Sequence, residues 1–391
     1  MKNLKFLNVA LVIVFMTTIL TGCDSKNVSK STQPITLNII DVSGSMQLVG
    51  DSIDQFKAAN PDLIGDVVVK KSTALEVPSL LKAQILSEDM QTNLIFTGID
   101  GLSTCIDRDV IENIMPAYSS KFPDLESNYS SGAKATYDLV KGYGITYVYS
   151  PSGPFFTYNP DVVQNVPKTP DELLAFAKTN PGKFTYARPA ASGPGRIFLQ
   201  GLPYILGDKD PKDPKTWDKT WAYLKELNQY IDYYPAKTGT TFTELKDGKR
   251  SIIASQLGWD MNQRIIGGIP QTYQGFVFNN TTLVSDAQYM AIPKGLSDEQ
   301  KNAVLKLMAW LMTPKMQAIT YDSGYFYPGP SVKNVSLDMA PKESQDKIKP
   351  AIRQSYEDSI KTLPSSTQLD TTKFMEALNM WDQLFGTKVK R

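Results

Sequence analysis

The sequence predicts an α/β fold in two lobes. Three observations carry this expectation. Strand-like and helix-like runs alternate between residues 35 and 115. A Pro/Gly break at residues 151–154 interrupts the pattern, which then resumes. The chain, at 391 residues, is long for a single core and comfortable for two.

Taken in order, "ITLNII" (35–40) is a β-rich run, and "LVGDSIDQFKAAN" places Leu48, Ile53 and Phe56 at helical spacing before Pro61. "GDVVVKK" reads as a second strand, "PSLLKAQILSE" as a helix with Pro78 in its first turn, and "NLIFTGI" as a third strand. "DRDVIENIM" (107–115) is expected to be the next helix. Alternation of this kind predicts a sheet with much parallel pairing. "GYGITYVYSPSGPFFTYNPDVV" then gives aromatic-rich strands on either side of the break. "PDELLAFAKTN" is a helix, "KFTYARP" a strand, and the Gly/Pro/Ser turn at 192–195 opens another helix. "SIIASQLGWD" is a strand ending in a turn, and "TTLVSDAQYMAIPKGL" a further strand. "DEQKNAVLKLMAWLMTPKMQAI" is an amphipathic helix, and from Ser336 the pattern is mainly helical to "TTKFMEALNMWDQLF".

The first 22 residues have the layout of a secretory signal. Lys2 and Lys5 precede the apolar "FLNVALVIVFMTTIL", which is too short and too quickly followed by polar residues to be a membrane span. "LTGC" resembles the bacterial lipobox, which implies lipid on Cys23. Residues 23–34 then read as a polar tether. Lys and Arg number 41 against 40 Asp and Glu. Loss of Lys2 and Lys5 with the leader brings the balance to −1, and no basic block points to nucleic acid.

There is no histidine, and Cys105 is the one cysteine besides Cys23. Ser-His-Asp and Cys-His catalysis, His-based zinc sites and cysteine-rich zinc sites are therefore excluded. Cys105, in "LSTCIDRDVI", reads as a small packing residue.

Two motifs invite other readings. Asp41-Val-Ser43-Gly44-Ser45 at a strand end resembles the metal-dependent adhesion motif of von Willebrand A-type domains. A hard cation there needs further oxygen ligands, and Thr97 and Asp100 match that pattern poorly. Ser79-Leu80-Leu81-Lys82 with Lys237-Thr238-Gly239 resembles a Ser-x-x-Lys acyl-enzyme, but no Ser-x-Asn or Tyr-x-Asn lies between them. These remain the alternatives to a non-enzymatic binding function, the second of them remote.

A larger resemblance covers nearly all of residues 35–391. "NPDLIGDVVV", "FTGIDGLS", "VYSPSGPFFTYNPDVV", "PKTPDELLAFA", "PGKFTYARPAASGPG" and "SGYFYPGPSVKNVSLDMAP" follow one another in this order. Together they resemble family 1 extracellular solute-binding proteins of ABC importers, in the branch of iron, thiamine, sulfate and polyamine binders. The resemblance implies the type II periplasmic-binding-protein fold, with two lobes joined by hinge strands and a cleft that closes on its ligand. Lobe 1 is expected at 35–154 with a return at 285–335, lobe 2 at 159–283, and a helical segment at 336–391. Ferric-ion binders of the branch carry adjacent tyrosines where this chain has Gly258 and Trp259. Tyr233-Tyr234 lies upstream, so direct iron binding is not expected.

Ligands of such sheets sit beyond the strand ends, where helix starts offer free N–H groups. The small polar turns Ser43-Gly44-Ser45, Thr97-Gly98, Ser192-Gly193 and Gly258-Trp259-Asp260 are therefore the expected contacts. Trp259, Tyr325 and Phe326 would add aromatic walls. Asp100, Asp260 and Glu76 would suit a cationic ligand, Arg196 an anionic one, and the residues alone leave the sign open. The expected protein is a lipid-anchored monomer facing the outside of the cell membrane. It would pass a small polar or charged organic solute to an ABC permease, with no cofactor and no metal.

Overall fold

In the computed structural model the described residues are 33–390; the leader, Cys23 and most of the tether lie outside them. The strands, in chain order, are β1 (Ile35–Asp41), β2 (Ile64–Lys71), β3 (Leu94–Gly98), β4 (Ile145–Gly153), β5 (Phe155–Tyr158), β6 (Phe184–Thr185) and β7 (Tyr234–Pro235). They continue with β8 (Ile252–Ser255), β9 (Gln274–Phe276), β10 (Leu283–Ala291), β11 (Gly329–Pro330), β12 (Ser365–Ser366) and β13 (Val389–Lys390). A seven-stranded sheet has the order β11-β4-β10-β3-β1-β2, with β12 beside β10, and a four-stranded sheet has the order β6-β8-β5-β9. The fold is the mixed α/β, type II periplasmic-binding-protein architecture.

The expected parallel pairing holds for β1 with β2 and with β3. It gives way to antiparallel pairing where β10 enters between β3 and β4. The chain leaves the large sheet between Gly153 and Phe155 and returns between Phe276 and Leu283. Phe155–Tyr158, which the sequence left between the two expected lobes, already pairs in the small sheet.

One element needs correction. The helix expected over "DRDVIENIM" is displaced: the helix is Ile99–Asp107, starting directly at the end of β3. Asp109 takes a left-handed backbone (φ 54°), and Ile111 bridges to Pro293 in extended form. Ile99, Leu102 and Cys105 are the buried face of the true helix. Val110 and Ile111, which looked like its continuation, are buried from the extended segment instead.

Local chemistry explains where the helices nearest the strand ends begin. The helix Gly193–Leu206 starts on Ser192, whose hydroxyl accepts from Gly195 N–H at 3.1 Å, with a proline in the first turn; it stops at Gly207 in the left-handed region (φ 69°). The helix Met46–Ala59 is capped from further back. Asp41 Oδ1 accepts from the N–H groups of Ser45 (2.8 Å) and Ser43 (3.2 Å), and Oδ2 from Met46 N–H (3.2 Å). Gly44, at φ 73°, lets the turn fold back onto that carboxylate.

The C-terminal helix Thr371–Phe385 buries Phe374, Ala377, Leu378, Trp381 and Phe385. Trp381 packs on Tyr186 and Tyr234, and β13 pairs with β7. These contacts tie the end of the described chain to the half that carries the small sheet.

Candidate functional site: a buried charged cluster between two sheets

β10 is buried along its whole length, a setting in which a strand is expected to be apolar throughout. It nevertheless carries Asp286 and Gln288, two residues apart and so on one face. Asp286 Oδ2 accepts from Gln256 Nε2 (3.0 Å), and Oδ1 from Gln368 Nε2 (2.8 Å). Gln288 Oε1 accepts from Ser45 Oγ (2.9 Å) and Tyr147 Oη (2.5 Å), while its Nε2 donates to the Ser43 carbonyl (3.3 Å). One strand face thus collects the helix starts of both sheets.

The charges gather at the same place. Arg196, in the first turn of Gly193–Leu206, lies 3.0 Å from Asp100 Oδ2, with the two side chains 12% and 17% exposed. Its Nε is buried with no hydrogen-bond partner among the described residues. Asp286 is buried, and burial holds its carboxyl above the ordinary value, opposed by Arg196 and Gln256 and reinforced by Asp100. A Cβ at Gly98 would sit 2.8 Å from Asp100 Oδ1 and 3.7 Å from Arg196 Nη2. One at Gly193 would sit 3.0 Å from Gln256 Oε1 and 3.4 Å from Asp286 Oδ2. Both glycines therefore border the charged cluster, and any side chain at Gly193 would crowd it.

An aromatic wall stands beside it. Trp259 stacks on Phe242 (5.7 Å, 21°) and meets the Tyr325 ring edge-on (5.4 Å, 66°). The Tyr325 hydroxyl donates to the Ser43 carbonyl at 3.3 Å, and burial keeps that phenol protonated by raising its pKa. Gly258 makes the approach possible, since a Cβ there would lie 2.4 Å from the Tyr325 carbonyl oxygen.

The expected residues thus divide. Ser43, Gly44 and Ser45 adjoin Gln288 and Tyr325; Gly98 and Asp100 adjoin Arg196; Gly193 adjoins Gln256 and Asp286; Trp259 adjoins Tyr325. Ser192 is buried as the helix cap, and its Oγ lies 2.8 Å from that of Thr238. Thr97 is buried, with its hydroxyl on the Gly98 carbonyl (3.1 Å). Phe326 packs into the core of the large-sheet half.

Asp260 turns away from the cluster. It is fully buried and accepts from Thr157 (2.8 Å), Arg264 (3.1 Å) and Tyr356, with Arg353 at 3.8 Å. Glu76 is exposed and serves its own turn through Ser72 and Thr73. Sequence reasoning missed Gln256, Asp286, Gln288 and Tyr147. The available signal was a pair of polar residues at period two inside "TTLVSDAQYMAIP".

The rival motifs find little support in the fold. Both carboxylate oxygens of Asp41 are occupied by backbone N–H groups, and no cluster of three or more acidic or cysteine side chains suited to a metal occurs among the described residues. Tyr233 donates to Glu244 and Tyr234 to Asn228, so the adjacent pair serves two structural partners. Ser79 and Lys82 are exposed on their helix.

Comparison with known proteins fits this geometry. The sequence matches the model of the bacterial extracellular solute-binding protein family over residues 51–351. The chain belongs to that family. Its solute-binding fold recurs in an ABC transporter from Clostridium perfringens ATCC 13124 (TM-score 0.63, 12% identity, covering 91% of this chain and 100% of that one). It recurs also in the spermidine/putrescine substrate-binding protein PotD of Streptococcus pneumoniae (0.59, 14%, 90% and 99%) and in a ferric binding protein from Campylobacter jejuni (0.61, 14%, 90% and 98%). Among curated proteins, YnjB of Escherichia coli (strain K12) is 28% identical over 172 residues, a match spanning 40% of this chain and 43% of that one. The protein is thus a bacterial extracellular solute-binding protein. No helix among its described residues is long and apolar enough to cross a membrane.

Proposed function

We propose that this solute-binding protein captures a small organic cation between its two sheets and passes it to an ABC permease. The ligand groups would be Asp286, Asp100, Gln256, Gln288, Trp259 and Tyr325, with the helix starts at Ser43–Ser45 and Gly193 closing around them. One observation carries the sign: two carboxylates, Asp100 and Asp286, share a buried site with a single Arg196. A buried negative excess is costly alone and is offset by a bound cation. The Trp259 and Tyr325 rings supply π faces that favour ammonium groups. That a neighbour is named for spermidine and putrescine agrees with this sign.

In this reading the moving bodies are residues 35–154 with 285–335, and 155–283. The helical segment 336–391 braces them, and closure brings Trp259 against Tyr325. Calorimetry of the purified protein against primary amines, diamines, quaternary ammonium compounds and carboxylates tests the sign. Cationic solutes should bind and anionic ones should not; a tightly bound anion would overturn it. Trp259→Ala should weaken binding of the best cation by ~2 kcal/mol or more, because it removes an aromatic wall at the centre of the contact.

The lipid anchor is a second part of the reading, supported by "LTGC" behind an apolar leader. Cys23→Ala should move the protein from the membrane fraction to soluble or unprocessed forms. Unchanged fractionation with no acyl mass on the wild-type N-terminus would reject it.

A further inference from the structure

Among the described residues β2 ends the large sheet and pairs only with β1. Its centre exposes Val68 (47%) and Val69 (42%), an unusual place for two bare valines on a free strand edge. The phase of the β1 ladder says which backbone groups are free. Ser72 N–H donates to the Asp41 carbonyl (3.2 Å), and Asp41 stands opposite Lys71. Even-numbered residues from 66 to 72 therefore face β1, and Val67, Val69 and Lys71 turn N–H and C=O outward. Consistent with that phase, the Val67 N–H is covered only by the side chain beside it, donating to Asp66 Oδ1 at 2.8 Å.

We propose that β2 pairs antiparallel with β2 of a second copy, about a two-fold axis through Val68. The sequence Asp66-Val67-Val68-Val69-Lys70 is complementary to itself in this register. Val67 stands opposite Val69 of the second copy, and those are the residues with outward backbone groups, so they form the hydrogen-bonded pairs. Val68 faces Val68, and each Asp66 faces a Lys70, in the non-hydrogen-bonded positions where side chains approach most closely. Sliding the register by two residues either way leaves Asp66 opposite Val68 or Ser72, with its charge unmatched. To turn, Asp66 gives up two surface contacts: Lys57, at 3.4 Å with the two side chains 37% and 69% exposed, and the Val67 N–H, which the ribbon engages instead. The self-pairing replaces the monomer expected from the sequence. A five-residue ribbon buries less than the roughly 1,600 Å² of a standard interface, so the dimer is weak and is best trapped where the protein is concentrated.

The test is cross-linking of the full-length protein in its native membranes. Val68→Cys places two thiols in the closest cross-strand position, within disulfide reach, and mild oxidation should yield a covalent dimer absent from the wild type, which controls for Cys23 and Cys105. Val69→Cys alone should not cross-link, whereas Val67→Cys and Val69→Cys co-expressed should form the mixed dimer. Adding Asp66→Lys to Val68→Cys should cut the cross-linked fraction by about tenfold, and adding Lys70→Asp as well should restore it. Cross-linking of Val68→Cys no greater than wild type, equal yield from Val69→Cys, or no rescue by the charge swap would each overturn the proposal.

Discussion

Replacing Asp260 with alanine is expected to destabilise the protein by about 3–5 kcal/mol, because it leaves a buried cation without its partner. Arg264 is 3% exposed and depends on Asp260 for charge, while Thr157 and Tyr356 both donate to the same carboxylate. Asp260→Asn keeps an acceptor for Thr157 and should cost less. Thermal unfolding of the three proteins checks the order wild type, Asn, Ala. Because Asp260 points away from the charged cluster, the Asn variant should keep its solute affinity. A loss of affinity without a loss of stability would place Asp260 at the ligand instead.

Asp286→Asn should have the opposite pair of effects. Burial raises the Asp286 pKa above its ordinary value, so ionising this carboxyl costs the empty protein stability. Its contribution to stability is full below the unfolded value near 4 and is lost as pH rises through the raised folded value. The empty Asn variant should therefore melt higher than wild type at neutral pH, with the advantage vanishing in acid. Binding runs the other way. A cation favours the ionised carboxylate, so wild-type affinity should rise with pH across that window. The Asn variant should bind more weakly by about 1.5–3 kcal/mol and lose the pH dependence. Equal affinities at neutral pH would remove Asp286 from the site.

Most of the architecture was legible from the order of apolar runs, because strand and helix periods differ and turn residues punctuate them. The displaced helix shows the limit: "DRDVIENIM" has helical apolar spacing, but its valine and isoleucine are buried from an extended segment bridged to Pro293. The site was half legible. Small polar turns could be found from composition, yet direction could not. Trp259 and Asp260 are neighbours on a helix, about 100° apart, so one meets Tyr325 while the other is buried with Arg264 and Tyr356. Tyr325 and Phe326 part in the same way, the first toward Trp259 and the second into the core. Asp286 and Gln288 escaped notice because their partners come from residues 43–45, 147, 256 and 368, which only the folded chain brings together.

The placement of β10 sets an order of assembly. Residues 155–276 form the small sheet from one uninterrupted stretch. The large sheet instead needs β10 between β3 and β4, with Gln288 opposite both Gly98 and Val148. Until that strand arrives, β3 has no neighbour on one side and Asp286 has no cluster to enter. Contacts so distant in sequence form slowly. Until residues 283–291 have been made, the first third of the chain therefore has no complete sheet to close, whereas the small sheet already has all its strands.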